Sequence, residues 1–225
     1  MFQKPTNQQF AKIFDTIATR YEIILNPYAV SRRIEFLTKY ARGKCLEVGA
    51  GSGVITKALT KNHKVVATDI SPQMVQQIKK NLKIKAYICD AQKLPFADSA
   101  FETIIAAELI YYLDSPNKFL KEAQRILKPK GRLLLTSASK ITRVYDLIRS
   151  WLRKLGFTSM YFDDSNRDFM SIKELKRLLY TAGFRVKKLE RVILLPFNFF
   201  DPFNRFLEKT PFKHFCSFIF VYAEK

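Results

Sequence analysis

Short apolar segments alternate with amphipathic helical patterns along most of the chain, and this alternation restricts the fold more than any other feature. Strands separated by helices indicate repeated βα units, whose strands lie parallel in one sheet covered by helices. Five strand-like segments come first, and they read KCLEVGA, KVVATDI, KAYICD, FETIIAA and GRLLLTSA. Two further candidates, RVKKLERVILL and SFIFVYAEK, follow later in the chain. The sequence therefore predicts an α/β fold with a mostly parallel sheet.

Several helical segments carry recognisable end signals. Apolar residues recur at helical spacing in GVITKALTKN, PQMVQQIKKNL and NKFLKEAQRILK. Gly131 is predicted to cap the third of these helices, because glycine is the commonest residue just beyond a helix C-terminus. Ser171 followed by Glu174 forms a capping box that opens another helix, and Gly183 is predicted to end it.

The segment EVGAGSG, which follows the first predicted strand, indicates a nucleotide-type site. Such a turn brings glycine backbone to the carboxyl edge of the sheet, next to the N–H groups of the following helix. A dinucleotide fingerprint requires a glycine at position 54, where this chain has Val54, and the third glycine is Gly53. The spacing favours a different cofactor, and a loop that only makes a turn is the alternative.

The chain resembles the class I S-adenosylmethionine-dependent methyltransferases, whose first motif has the form E/D-x-G-x-G-x-G. Glu47, Gly49, Gly51 and Gly53 match that motif. VVATDIS is similar to the second motif of the family, ICDAQKLPFADSAFETIIAAEL to the third and fourth, and EAQRILKPKGRLLL to its late helix and fifth strand. The resemblance implies a Rossmann-like, doubly wound, seven-stranded sheet with helices on both faces. Within the class, the chain is most similar to the small-molecule branch that includes the ubiquinone and menaquinone C-methyltransferases.

The domain organisation is predicted to be simple. We expect one methyltransferase domain over residues 1–225, because no linker or internal repeat interrupts the sequence. A helical lid is predicted at about 1–43 and an inserted helical cap at about 139–170. Tyr21 lies in FDTIATRYE, which resembles the N-terminal segment that folds over the cofactor in the quinone-type branch. Phe14 and Tyr21 are seven residues apart, so both residues are also candidates for the core.

Residues at the ends of the second and third strands are predicted to bind the nucleoside. Asp69 ends the second strand, where its carboxylate can accept hydrogen bonds from both ribose hydroxyls. Asp90 ends the third strand, and the resemblance implies that it binds the adenine amino group while the Ala91 N–H reaches a ring nitrogen. Ile70 and Met74 are candidates to sandwich the adenine, or to be ordinary core residues.

The methionine end of the cofactor is expected beyond the first and fourth strands. In the family, the residue equivalent to Glu47 orders the loop and the methionine ammonium, although a purely structural role is an equal alternative. Small Ala107, after the fourth strand, would let the backbone approach the cofactor. The predicted cofactor-binding residues are Tyr21, Glu47, Gly49, Ala50, Gly51, Gly53, Asp69, Ile70, Met74, Asp90, Ala91 and Ala107.

The sequence leaves the general base undefined. Many relatives carry a histidine pair after the fourth strand, whereas this chain has Tyr111 and Tyr112. Those two tyrosines, Glu108 and His214 are the candidates to take a proton if the acceptor is an oxygen or an acidic carbon. No segment resembles a metal site, so no metal is predicted.

Two features of the composition indicate what kind of molecule accepts the methyl group: an excess of basic residues and a run of apolar ones. The net charge is +19, which suits an anionic partner or membrane but also a lysine-rich proteome. The segment 141–155 is predicted to be a basic amphipathic helix with Trp151 on its apolar face, serving as a plain lid or touching a membrane or amphiphilic acceptor. A phenylalanine-rich segment follows, and its members are Phe197, Phe199, Phe200, Phe203, Phe206, Phe212 and Phe215. We therefore expect a small apolar or amphiphilic acceptor, with weak contact to anionic membranes.

Three other functions are weaker matches to the sequence. An RNA methyltransferase would suit the charge, yet AAEL after the fourth strand is not the N/D-P-P-Y/F turn of base amino-group methyltransferases. A non-catalytic S-adenosylmethionine-binding module fits the absence of an assigned base. A nicotinamide dehydrogenase is disfavoured by Val54.

The predicted location is the cytoplasm, either free or peripheral to the membrane. The N-terminal residues lack the apolar core of a signal peptide, and no apolar run is long enough to span a bilayer. Cys45, Cys89 and Cys216 are far apart and odd in number, which indicates reduced, structural thiols.

Overall fold

The computed structural model describes residues 6–18, 21, 25–144, 147, 151, 168–193 and 201–225. Its strands are β1 (Lys44–Val48), β2 (Lys64–Asp69), β3 (Ala86–Ile88), β4 (Phe101–Ala107), β5 (Leu127–Ala138), β6 (Arg185–Val192) and β7 (Phe218–Glu224). Its helices are α1 (Asn7–Ile17), α2 (Pro27–Tyr40), α3 (Val54–Leu59), α4 (Pro72–Leu82), α5 (Pro116–Ile126), α6 (Ile172–Thr181) and α7 (Asp201–Leu207), with a 3-10 helix at Pro211–Phe215. Most of the predicted cap, and Phe197, Phe199 and Phe200, lie outside the described residues.

The seven strands form one sheet in the order β3-β2-β1-β4-β5-β7-β6. Strand β7 runs antiparallel to both of its neighbours, while the other adjacent pairs are parallel. This arrangement confirms the predicted Rossmann-like, mostly parallel sheet with helices around it.

The topology gathers functional loops at one edge of the sheet. The order reverses between β1 and β4, and such a switch point opens a crevice at the carboxyl ends of the strands. The antiparallel direction of β7 brings its first residues to the same edge, since Phe218 pairs with Ala138 at the end of β5. The segment 201–217 therefore leads into the sheet at the edge that carries the loops after β1 to β4.

Local end signals explain where α6 begins and ends. The Ser171 side chain accepts a hydrogen bond from the Glu174 N–H, and the Glu174 carboxylate accepts one from the Ser171 N–H, which confirms the predicted capping box. The helix ends before Gly183, whose φ of +84° is left-handed and strained for other residues.

The prediction that Gly131 caps α5 is wrong. The helix ends at Ile126, and the next residue, Leu127, is already extended and starts β5. A positive φ of 58° occurs at Lys130, one residue before the glycine. The glycine is required for a different reason, because a Cβ atom at Gly131 would lie 2.7 Å from the Lys128 carbonyl oxygen.

A buried ion-pair cluster attaches α2 to the C-terminal part of the chain. The Arg32 guanidinium lies 2.9 Å from the Glu208 carboxylate and 3.0 Å from that of Glu35. The Tyr28 hydroxyl donates to the other Glu208 oxygen at 2.9 Å. The pKa of Tyr28 is raised, chiefly by burial. A buried arginine needs partners of this kind, so the cluster fixes the position of the chain around Glu208.

Within the part of the chain that the structure describes, we find no helix with the length and hydropathy needed to cross a bilayer.

Candidate active site

A cavity with about 700 Å³ of empty space, partly open to solvent, lies at the carboxyl edge of the sheet. It is bordered by the loops after β1, β2, β3 and β4 and by the N-terminal helix α1. The described residues around it are Phe10, Phe14, Tyr21, Val48, Gly49, Gly51, Asp69, Ile70, Met74, Cys89, Asp90, Ala91, Ala107, Glu108, Leu109, Tyr112 and Leu113.

The glycine turn after β1 presents bare backbone to this cavity. The N–H groups of Gly49 and Ala50 both donate to the Thr68 carbonyl, at 2.8 and 3.0 Å, and so attach the turn to β2. Gly51 has a φ of +55°, and a Cβ atom there would lie 3.2 Å from the Tyr21 ring. At Gly53 a Cβ atom would instead approach α4 side chains, so this glycine serves helix packing.

Asp69 lies beside the turn and faces the cavity. One carboxylate oxygen accepts from the Gly51 N–H at 2.8 Å, and the other accepts from the Ser71 N–H at 2.9 Å. Burial raises the pKa of Asp69, while these backbone hydrogen bonds oppose the shift. An ionised carboxylate can accept about four hydrogen bonds, so Asp69 retains capacity for two ligand hydroxyls.

We expect Asp69→Asn to weaken the binding of S-adenosylmethionine by about 10- to 150-fold. Hydrogen bonds to a charged group contribute about 1.5 to 3 kcal/mol, and the amide replaces one acceptor oxygen by a donor. Calorimetric titration would measure the dissociation constant, and circular dichroism would check the fold. Asp98→Asn is the matched control, because the Asp98 side chain is 76% exposed and remote from the cavity. Equal affinities of the two variants would contradict the assignment.

Glu47, in β1, is buried beneath the turn and is 1% exposed. Its carboxyl accepts a hydrogen bond from the Thr56 hydroxyl of α3, and it is not among the described residues that border the cavity. Burial raises the pKa of Glu47 to about 8, with Asp69 contributing and Thr56 opposing. This contact joins the strand to the helix on the far side of the turn.

The raised pKa of Glu47 predicts a pH-dependent stability. An unfolded chain releases this proton near the ordinary value of 4.5, whereas the folded chain keeps it up to about pH 8. The free energy of unfolding should therefore fall as pH rises through this window, on the order of 1 kcal/mol per pH unit.

Urea titrations at about pH 5 and about pH 8 test this dependence, and Glu47→Gln should flatten it. Glu174→Gln is the control, because the pKa of exposed Glu174 is lowered to about 2 by Lys140 and by Ser171. That carboxyl does not titrate in the window, so its replacement should leave the slope unchanged. The same slope in wild type and Glu47→Gln would show that Glu47 titrates normally.

The loops after β2 and β3 form the opposite wall of the cavity. Met74, the third residue of α4, is 1% exposed, and Ile70 lies half-buried beside it. The Asp90 carboxylate accepts the Gln92 N–H at 2.8 Å, which holds the loop that also carries Ala91. The wall thus combines apolar surface with one acidic acceptor.

Helix α1 closes the cavity from the N-terminal side. The Asp15 carboxylate accepts hydrogen bonds from the Ser71 hydroxyl and, at 3.2 Å, from the Gln73 N–H at the beginning of α4. The ring of Phe14 lies 6.2 Å from that of Tyr21 and 5.3 Å from that of Tyr112, in edge-to-face arrangements. These contacts cover the glycine turn with aromatic side chains.

The fourth strand ends in a carboxylate that is surrounded by hydrogen-bond donors. Glu108 borders the cavity with a φ of +56°. One carboxylate oxygen accepts from the Thr136 hydroxyl at 2.8 Å, and the other accepts from the Tyr111 hydroxyl at 2.9 Å. The Arg33 Nε atom lies 3.4 Å from the first of these oxygens. The arrangement fixes an acidic group at the end of the cavity beyond the glycine turn.

The four candidate bases therefore differ in position. Glu108 and Tyr112 border the cavity, whereas Tyr111 is 3% exposed and lies behind both of them, bonded to Glu108 and packed on the Tyr112 ring. His214 is exposed on the 3-10 helix, apart from the described cavity residues. Among the predicted cofactor residues, Glu47, Ala50 and Gly53 support the turn without bordering the cavity, and the others border it.

Sequence reasoning missed several residues of the cavity. Phe10, Val48, Cys89 and Leu113 border it, and Cys89 was expected to be only structural. The signal that could have found them is adjacency, since each lies within four residues of a predicted site position or lid residue.

The residues present fit S-adenosylmethionine. A nucleoside requires an acidic acceptor for its hydroxyls and apolar plates for its base, which Asp69, Met74 and Ile70 can supply. Gly51 presents backbone without a side chain to the cavity, beside the Tyr21 ring, and the amino-acid portion could approach the turn there. Among the residues that the structure describes, no group of three His, Cys, Asp or Glu residues could hold a metal ion.

The chain is similar in sequence to known proteins. The model of a family described as "Methyltransferase domain" matches residues 46–135. A ubiquinone/menaquinone biosynthesis C-methyltransferase, UbiE, of Desulfotalea psychrophila is 28% identical over 199 residues, which cover 77% of this chain and 81% of the relative. An uncharacterised protein of Methanocaldococcus jannaschii is also 28% identical, with 80% and 85% covered.

Solved structures share the fold. A crystal structure from Thermotoga maritima, described as an S-adenosylmethionine-dependent methyltransferase and possible histamine N-methyltransferase, superimposes with a TM-score of 0.72 at 21% identity. The match covers 95% of this chain and 98% of that one. A methyltransferase of the same cofactor class from Aquifex aeolicus gives a TM-score of 0.57 at 19% identity, with 98% and 99% covered.

Proposed function

Since the chain is a class I S-adenosylmethionine-dependent methyltransferase, it needs a methyl acceptor, and we propose that this acceptor is a small apolar or amphiphilic molecule. The cavity extends past the glycine turn to the end of β4, where the acceptor would lie. Asp69, Asp90, Ala91, Ile70 and Met74 would hold the nucleoside at the other end.

When bound, S-adenosylmethionine supplies a methyl carbon whose bond to the sulfonium breaks as the bond to the acceptor forms, leaving a neutral thioether. The protein contributes mainly by holding the acceptor in line with that bond. Asp69 and the backbone at Gly51 would fix the cofactor, and α1 would limit the access of water.

The composition of the cavity wall carries the proposal. Phe10, Phe14, Leu109, Tyr112 and Leu113 line the end of the cavity near β4. The charged residues among the described lining residues are all acidic, and they are Asp69, Asp90 and Glu108. An anionic acceptor would be repelled there, because the positive net charge of the chain does not extend to the described cavity wall.

Glu108 is the group we propose to accept the acceptor's proton. It borders the cavity next to Tyr112, and the hydroxyls of Tyr111 and Thr136 hold its carboxylate in one orientation. A fixed carboxylate can take a proton from an oxygen or an acidic carbon as the new bond to methyl forms. Each of its oxygens retains a lone pair for this purpose.

A labelling experiment with purified components tests the acceptor class. Methyl-labelled S-adenosylmethionine would be incubated with a prenylated hydroquinone, the same ring without its tail, a polar amine and RNA. The relatives named as quinone C-methyltransferases make the first two compounds the natural probes. We expect label in one or both of the hydroquinones. Label in the amine or the RNA alone, with cofactor binding intact, would overturn the proposed acceptor.

A further inference from the structure

Four phenylalanine side chains near the C-terminus are exposed instead of buried. Phe203 and Phe206 of α7 are 59% and 65% exposed, and Phe212 and Phe215 of the 3-10 helix are each 60% exposed. We call these four residues the phenylalanine face. A cluster of large apolar side chains at a surface marks an interaction site more often than it marks poor packing.

The orientation of these side chains follows from their spacing. In α7, Asn204 is completely buried and Leu207 is half-buried, so Phe203 and Phe206 share the side that points away from the core. In the 3-10 helix, residues three apart eclipse each other, which places Phe212 and Phe215 on one side as well. Both elements therefore direct aromatic rings outward.

The segment that carries the face is firmly attached to the domain. Glu208, between the two elements, is bound by Arg32 and Tyr28 and also accepts from the Ile193 N–H at 3.3 Å. After the 3-10 helix, the Ser139 N–H donates to the Ser217 carbonyl at 2.8 Å. The segment is thus attached to the domain at Glu208 and at Ser217.

Basic side chains surround the aromatic ones. Lys209 and Lys213 are exposed within the same segment, and so is Arg205, whose guanidinium is paired with the Glu35 carboxylate of α2. Glu208 is turned inward against the Arg32 guanidinium, where its charge is compensated. Aromatic rings interleaved with lysine and arginine match the interface of an anionic bilayer, which takes rings between its headgroups and attracts cations to its surface.

The face lies at the same edge of the sheet as the cavity, and one side chain links them. Phe218 is the first residue after this segment to enter the sheet. The Arg33 guanidinium lies 4.9 Å from the centre of the Phe218 ring. The same guanidinium is 3.4 Å from Glu108 in the cavity wall. A bilayer at the phenylalanine face would therefore be close to the acceptor end of the cavity.

We propose that the phenylalanine face, with Lys209 and Lys213, docks the enzyme on anionic lipid bilayers. A bilayer fits this surface better than a protein partner, because protein interfaces are depleted in lysine. Thr142, which follows β5, lies alongside, since its hydroxyl donates to the Ser217 carbonyl, and Val144, Leu147 and Trp151 are exposed. The role that we assign to this surface, delivery of an amphiphilic acceptor to the cavity, rests on the proposed function. The docking on a bilayer is independent of the proposed function.

Co-sedimentation with vesicles tests the docking without any methyl transfer. We expect binding to vesicles of phosphatidylcholine mixed with phosphatidylglycerol, weak binding to phosphatidylcholine alone, and a decrease with salt. Replacing Phe206 and Phe212 by serine should weaken binding by about tenfold or more. The control replaces Ile88 and Tyr180, which are 57% and 80% exposed elsewhere, by serine.

A second pair of variants tests whether the basic residues attract anionic lipid. Lys209→Glu with Lys213→Glu should abolish the preference for anionic lipid, whereas Lys173→Glu with Lys176→Glu in α6 should preserve most of it. An unchanged cofactor affinity in each variant would show that the fold is intact. The proposal is overturned if wild type ignores anionic vesicles, if both serine pairs bind alike, or if the face instead mediates self-association in light scattering or binds RNA.

Discussion

Gly51→Val should raise the dissociation constant for S-adenosylmethionine by on the order of 100-fold or more, equivalent to about 2.7 kcal/mol. At this position φ is +55°, and a Cβ atom would already lie 3.2 Å from the Tyr21 ring. The two additional methyl groups of valine would enter the space proposed for the methionine portion of the cofactor. A β-branched residue in left-handed conformation also strains the turn, by about 1 to 2 kcal/mol. Calorimetric titration measures the affinity.

Gly183→Val is the control that separates backbone strain from the loss of space for the cofactor. Gly183 has a φ of +84°, and a Cβ atom there would lie 3.3 Å from the flexible end of the Gln124 side chain, remote from the described cavity residues. This variant should lose a similar amount of stability and keep its cofactor affinity. If Gly51→Val binds S-adenosylmethionine as wild type does, the turn is only a connection and the proposed cofactor position is wrong.

Glu108→Gln is the second change with a large expected effect, and it should lower the rate of methyl transfer by roughly 10²- to 10⁴-fold. The amide preserves the size of the side chain and one acceptor oxygen, but it cannot take up a proton. The affinity for S-adenosylmethionine should remain within a few-fold of wild type. Single-turnover measurements across pH, with an acceptor found by the labelling experiment, would show the rate and its pH dependence.

Glu102→Gln is the matched control for this change. Glu102 belongs to the same strand, β4, but lies at its opposite end, where its carboxylate accepts from the Lys44 N–H at 2.7 Å. Its replacement should leave the rate unchanged. If Glu108→Gln instead weakens cofactor binding while bound complexes react normally, the carboxylate holds the cofactor and another group takes the proton.

The features that could be predicted from sequence are those with local causes. Strand identity follows from apolar runs such as GRLLLTSA, and the start of α6 follows from one Ser–Glu pair that forms two hydrogen bonds with its own backbone. The glycine turn is predictable because bare backbone beside a strand end has few other uses. At Gly131, the local rule fails because β5 begins directly at Leu127 and removes the space for a helix cap.

The parts that could not be predicted depend on how distant segments meet. Phe10 and Leu113 border one cavity only because α1 folds onto the loop after β4. From the sequence, His214 and Glu108 were equal candidates for the general base. The fold places Glu108 in the cavity wall and His214 on the exposed 3-10 helix. Arg33, which touches both Glu108 and Phe218, carries no sequence signal at all, since its role comes from three-dimensional position.

The attachment of α1 has a kinetic consequence. Ser71 donates its N–H to Asp69, the proposed ribose acceptor, and its hydroxyl to Asp15 of α1. If α1 is the lid, releasing it breaks the two hydrogen bonds to Asp15, a net cost of roughly 1 kcal/mol each. A free-energy cost of that size allows opening in every catalytic cycle, and it couples release of the demethylated cofactor to the same serine that positions its binding site.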